Sequence, residues 1–224
     1  TEFGFNPAML FNLYSAVVEI IFNAIKANAK HVFFKSEVKT KLIRQKFENI
    51  DELLQIIFQE EALRDFMARH IVADKLKKRV NTVLQIDDKK RTGRINLLSK
   101  KDLELLYEFK RLLEEEEVLI HFTIALTEDR ITFNVVNDTP ILAKDMARIE
   151  QSRSIHKALF TEGRSTDYFG PDYLDVTESA GFGIAMADEI YYEMGLDPLK
   201  YFTISASNSS THAVMYFPRE KVQL

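Results

Sequence analysis

An α+β fold, a two-layer arrangement of a mixed, largely antiparallel sheet with helices on one face plus a helical insertion, is predicted by three observations. Apolar residues recur at helical spacing over residues 7–28 and through most of 37–117; the period switches to two from Val118; and the strand-like segments gather in the C-terminal half. The chain thus divides into one domain formed by residues 1–36 and 118–224, and a helical insertion at 37–117.

The first helix is expected to start at Pro7, with Asn6 as its cap and proline at the first helical position, and to run to about Ile25 or Asn28. His31-Val32-Phe33-Phe34 reads equally as a brief strand or as a helix-to-helix connector. Asn49 with Glu52 reads as a capping box ahead of a long amphipathic helix through Leu53, Leu54, Ile57, Phe58, Leu63, Phe66 and Ile71. Residues 75–85 continue or restart that helix, and charge plus glycine break the pattern at 87–93. Ser99 and Asp102 form a second capping box before Leu103, Leu106, Phe109, Leu112 and Leu113. That helix ends in the acidic residues 114–117, whose charge opposes the macrodipole and favours fraying.

Ile120, Phe122, Ile124 and Leu126 then alternate with more polar or smaller residues, and 127–130 turn the chain into Ile131, Phe133 and Val135. This is a β-hairpin. A second pair of strands is expected at 201–206 and 211–217, joined by Ser207-Asn208-Ser209-Ser210 and stopped by Pro218. Between the hairpins, 143–177 reads as a long polar loop, and Gly181 and Gly183 open a helix that buries Ile184, Ala187, Ile190 and Met194.

Composition narrows the function classes. With 46% hydrophobic and 29% charged residues among 224, the chain can bury a sizeable core. A net charge of −4 gives no electrostatic reason to bind nucleic acid or an anionic membrane. Glu19 interrupts the first helix, so neither a membrane span nor a signal peptide is expected, and the chain reads as cytoplasmic. The absence of cysteine removes disulfides, thiolate metal sites and cysteine nucleophiles.

Two segments carry chemistry. Glu19, Asn23 and Lys26 fall within a ~60° arc of the first helix, opposite its apolar side, and so present a carboxylate, a carboxamide and an ammonium together. Such a trio suits magnesium and a triphosphate; a solvated stripe on an amphipathic helix has the same pattern. Ser179-Ala180-Gly181-Phe182-Gly183 precedes the later helix, where glycines let backbone N–H groups approach a phosphate at the positive end of the dipole. A tight structural turn explains those glycines as well.

In this order, E-x-x-x-N-A-x-K on a first helix, an antiparallel hairpin, a long polar segment and G-x-G before another helix, the sequence resembles the GHKL superfamily. This is the Bergerat-type ATP-binding fold of histidine kinases, DNA gyrase, a heat-shock chaperone family and the MutL mismatch-repair proteins. The resemblance covers roughly residues 7–34 and 118–218 and omits the segment between them. It implies that Asn23 coordinates the magnesium bridging the phosphates, that Glu19 orients or deprotonates a water or arranges the phosphates, and that Lys26 lies near them. It further implies that Gly181 and Gly183 are the last two glycines of the second glycine-rich box, with Ser179 where a first glycine is usual. Thr211 resembles the threonine of the closing strand, near adenine.

The first glycine-rich box departs from the family. Where D-x-G-x-G is expected, the chain has Asn137-Asp138-Thr139-Pro140-Ile141, so Asn137 takes the adenine-binding position, or Asp138 after a shift of one residue. Both glycines are replaced, by Thr139 and Ile141. A strand-ending turn is the plain alternative. The polar segment 143–177 occupies the place of the family's ATP lid, with Arg153, Lys157 and Arg164 as phosphate contacts or solvated cations and His156 as an ordinary exposed histidine.

The resemblance implies an ATP- and magnesium-dependent domain like the catalytic domain of a sensor histidine kinase, a signal-transduction transferase. It would pass the γ-phosphoryl group to a histidine outside this chain, on an N-terminal phosphoacceptor region or a partner protein. Two alternatives stand beside it. One is an ATP-hydrolysing conformational switch using Glu19, and the other a nucleotide-binding pseudoenzyme or protein-interaction module using residues 37–117.

Overall fold

A computed structural model describes residues 7–70, 73–170 and 180–222. In chain order the elements are α1 (Pro7–Arg44), α2 (Ile50–Gln59), α3 (Glu61–His70), α4 (Ala73–Arg91), α5 (Lys100–Glu116), β1 (Ile120–Leu126) and β2 (Arg130–Asn137). They continue with α6 (Ala143–Thr161), α7 (Ala180–Glu193), α8 (Pro198–Tyr201), β3 (Phe202–Ala206), β4 (Thr211–Pro218) and α9 (Arg219–Val222). The chain is α+β. It forms two compact units, Thr1–Ile25 with Ile120–Leu224, and Lys26–Leu119, so the first division falls inside α1 rather than at residue 36.

In the first unit the sheet has the order β1-β2-β4-β3, and each described pairing is antiparallel. The register sets Ile131 opposite Phe217, Val135 opposite Ala213 and Asn137 opposite Thr211. Because side chains alternate at period two, Ile131, Val135, Ala213, Met215 and Phe217 share one face, and all are buried. Leu13, Ala16, Val17, Ile20 and Ala24 of α1, Ile184, Ala187, Ile190 and Tyr191 of α7, and Met194 just after it join them in one core. The expected buried side of α7 is thus observed. Over Leu10–Arg44, α1 also meets the length and composition of a membrane-crossing helix, criteria that core helices meet too.

The second unit is helical. Val32, Phe33, Phe34, Val38 and Leu42 on the later part of α1 are buried, as are Leu54, Leu76, Val80, Val83, Ile86, Leu106, Phe109 and Leu112. Phe33 stacks on Phe109 with centroids 5.4 Å apart. The capping box of Ser99 and Asp102 is present, the Ser99 hydroxyl accepting from the Asp102 N–H and the Asp102 carboxylate from the Ser99 N–H. The final acidic run stays helical to Glu116, and Lys35 pairs with Glu116.

Four expectations are corrected. Residues 31–34 continue α1 as helix, because their apolar side chains fall on its buried side. Asn49 caps nothing with its side chain: it has φ 53°, the left-handed region, so its carboxamide is turned away from the first N–H groups of α2. The long helix expected after it is two, α2 and α3, broken at the extended residue Glu60. Residues 143–161 are helix rather than loop.

Candidate functional site

The first unit brings Glu19, Asn23 and Gly183 together although 160 positions of sequence separate Asn23 from Gly183. A Cβ built on Gly183 would lie 2.5 Å from Glu19 Cβ and 3.4 Å from Asn23 Nδ2. Glycine is therefore what lets α7 approach α1 at the stripe of polar residues. Asn23 Oδ1 is buried and has no hydrogen-bond partner among the described residues. A buried carboxamide oxygen left unpaired costs about 1–3 kcal/mol, so a ligand atom or water that it accepted from or coordinated would be favoured there.

This contact makes a direct prediction. Overpacking costs about 1–3 kcal/mol, against about 1 kcal/mol that alanine gains over glycine inside a helix. Gly183→Ala is expected to lower stability by about 1 kcal/mol and Gly183→Val by more, because Glu19 Cβ cannot rotate aside. Denaturant titration checks the order; an alanine variant more stable than the parent would contradict the close approach.

Gly181 lies in the first turn of α7, while Ser179 is outside the described residues. Lys26 belongs to the second unit. Asn137 is buried at the end of β2, its Nδ2 donating to Thr139 O at 3.1 Å and to Thr139 Oγ1 at 2.6 Å. The Thr211 hydroxyl donates to the same Thr139 carbonyl at 2.8 Å. Asn137, Thr139 and Thr211 therefore form one polar cluster at the end of the helix-covered face, with the Asn137 amide donating twice to Thr139. Asp138 is exposed, with its carboxylate 3.4 Å from His121 Nε2. Neither Thr139 nor Ile141 has a positive φ, so this turn takes a path that needs no glycine.

The segment expected to supply phosphate contacts is built differently. Arg153 is 8% exposed, with Nε and Nη2 donating to the two Asp188 carboxylate oxygens at 2.9 and 2.7 Å. It also donates to Phe202 O and Pro198 O, tying α6 to α7 and the start of β3. Lys157 pairs with Asp197, and Arg164 with Glu162 and Asp167. His156 is 1% exposed rather than solvated, packed on Tyr168, Phe169 and Tyr192. Its Nε2 lies 3.0 Å from Glu189, and Ser165 Oγ donates to the other oxygen of that carboxylate. In a nucleophilic triad the histidine stands between hydroxyl and acid. Here the acid stands between them, so Ser165 has no base and the group holds structure. Asp188 and Glu189 were visible in the sequence as acids on the later helix, but their partners lay in the segment read as a loop.

Burial pushes the Asp188 carboxyl up from the ordinary carboxylate range, and the Arg153 guanidinium opposes that rise. Among the described residues no group of three or more His, Asp or Glu side chains could hold a metal. Glu19 and Asn23 approach Gly183 through the Glu19 methylenes and Asn23 Nδ2, and the two side chains also carry one carboxylate and the unpartnered Asn23 Oδ1. Magnesium characteristically takes one or two protein oxygens and completes its shell with water and phosphate, so the chemistry of these two side chains fits it. The chain matches no protein-family model, no curated protein and no solved structure.

Proposed function

We propose that the first unit is a GHKL-type domain of Bergerat architecture that binds ATP with magnesium and acts as a cytoplasmic phosphotransferase like the catalytic domain of a sensor histidine kinase. The observation that carries this reading is the contact of Gly183 with Glu19 and Asn23, beside an Asn23 oxygen left without a partner among the described residues. Two motifs singled out for phosphate chemistry meet in space, and one of them leaves a hard oxygen unpaired. Asn23 would hold the magnesium, Glu19 would orient the reacting group, and Gly181 and Gly183 would line the phosphates. Magnesium bound there would neutralise phosphate charge. The γ-phosphoryl group would pass to a histidine on a region or protein outside this chain.

One observation favours a second reading, a nucleotide-binding pseudoenzyme or interaction module. The Asn137 amide donates to Thr139, which occupies a position where the resembled family has glycine, and these donations would compete with any made to a base.

Thermal unfolding tests both. At ~100 times its dissociation constant Mg-ATP adds about 2.7 kcal/mol of stability. The unfolding temperature of the parent is expected to rise, and Asn23→Ala to abolish the rise. No shift at millimolar Mg-ATP refutes nucleotide binding. If binding is found, labelled γ-phosphate appearing on a histidine-bearing acceptor supports transfer. Free phosphate lost in Glu19→Ala supports the hydrolytic switch, and neither product supports the pseudoenzyme.

A further inference from the structure

The second unit contains a cavity of about 330 Å³, separate from the residues assigned to ATP, bordered by Lys41, Arg44, Lys75 and Arg79. Four cations on one concavity are notable in a chain whose net charge is −4. Like charges held this close repel one another, and a concave wall concentrates their field on whatever enters.

The cations are not equivalent. Arg79 is fixed: it donates to Glu37 at 3.3 Å, pairs with Glu108 at 2.6 Å and lies over the Phe33 ring at 4.3 Å. Lys41 spends one donor on the His70 carbonyl at 3.0 Å, which leaves its ammonium with further donors. Arg44 and Lys75 have no acceptor among the described residues. Glu37, also on the cavity wall, and Glu108 together offset Arg79 and one further charge, so the site keeps a net positive balance. Leu76, which is buried, supplies an apolar surface.

We propose that this cavity binds a small phosphoryl-bearing anion, with Arg44 and Lys75 as its principal partners. Guanidinium recognises phosphate oxygens through paired hydrogen bonds, and an ammonium adds a compact charge. The volume, at the lower end of the range for ligand pockets, suits a polyphosphate or a small phosphate ester rather than a large cofactor. This site does not depend on ATP binding by the first unit.

Inorganic pyrophosphate, without magnesium, is the probe for the full chain, followed by titration calorimetry and thermal unfolding against sodium chloride of matched ionic strength. Saturable binding is expected in the parent and in Asn23→Ala. Reversing both cations in Arg44→Glu/Lys75→Glu is expected to weaken it by about tenfold or more, and Arg44→Ala/Lys75→Ala by less. The alanine pair decides the matter if the reversed pair does not fold. Tighter binding of ribose 5-phosphate than of pyrophosphate would identify an ester whose organic part lies on Leu76; the reverse order would identify an inorganic polyphosphate. The proposal is overturned if matched chloride gives the same response, if neither pair of substitutions weakens binding, or if Asn23→Ala alone removes it.

Discussion

Replacing Asp188 by alanine is expected to destabilise the first unit by about 3–5 kcal/mol, because it leaves the Arg153 guanidinium buried without its counter-charge. The pair is 8% and 0% exposed and bidentate, so neither partner can turn to water without moving α6 off α7. The remaining donations to Phe202 O and Pro198 O satisfy hydrogen bonds but carry no compensating charge. Desolvation already works against the ionised Asp188, so the pair itself contributes much less net stability than breaking it costs. The double variant Arg153→Met/Asp188→Leu separates those two quantities. It is expected to recover most of the loss, since an apolar pair of similar volume has no charge to desolvate. Urea denaturation of the parent, the single and the double variant checks this. A double variant as unstable as Asp188→Ala would mean that packing volume, not uncompensated charge, sets the cost.

The same pair explains why α6 was not legible in the sequence. A helix is read from apolar residues recurring on one side, but α6 buries Arg153, His156 and Leu159, with Ile149 partly buried against the core. Two of its inward residues are polar: Arg153 pairs with Asp188 and His156 Nε2 with Glu189, each more than thirty positions away, while His156 Nδ1 has no partner among the described residues. Only tertiary contact converts that pattern into a core face. Residues 31–34 hid for the opposite reason: an unbroken apolar run obscures the helical period that Val32, Phe33, Val38 and Leu42 follow inside α1. Both hairpins and the cap of Ser99 were readable from period two and from cap chemistry, even though β1 is exposed along nearly all its length. Within the candidate site, Glu19, Asn23 and Gly183 were legible as chemistry; that a missing Cβ makes them neighbours was not, since it depends on where two distant helices pack.

Acidification from pH 7 is expected to destabilise the second unit by about 3 kcal/mol through His31 alone. Burial, reinforced by the Lys35 and Arg64 cations, pushes the His31 imidazole down from 6.5 to about 4. The ring packs edge-on against Phe58 with centroids 5.2 Å apart, and Lys35 is itself drawn to Glu116. A proton on His31 would therefore add a charge beside two others in an apolar setting. Between pH 6.5 and 4 the unfolded chain takes up that proton while the folded one does not, so stability is full above 6.5 and falls as pH is lowered. Below about 4 both states are protonated and this contribution levels off. Carboxylate titration contributes to acid unfolding as well, so the comparison needed is with His31→Gln, which keeps a polar side chain but does not titrate. Native-state hydrogen exchange at Val32, Phe33 and Val83, all buried in this unit, reports its stability separately from that of the sheet-bearing unit. The parent is expected to lose protection over this interval more steeply than the variant. Equal slopes in the two proteins would show that the imidazole takes up its proton in the folded state and that burial does not hold it neutral.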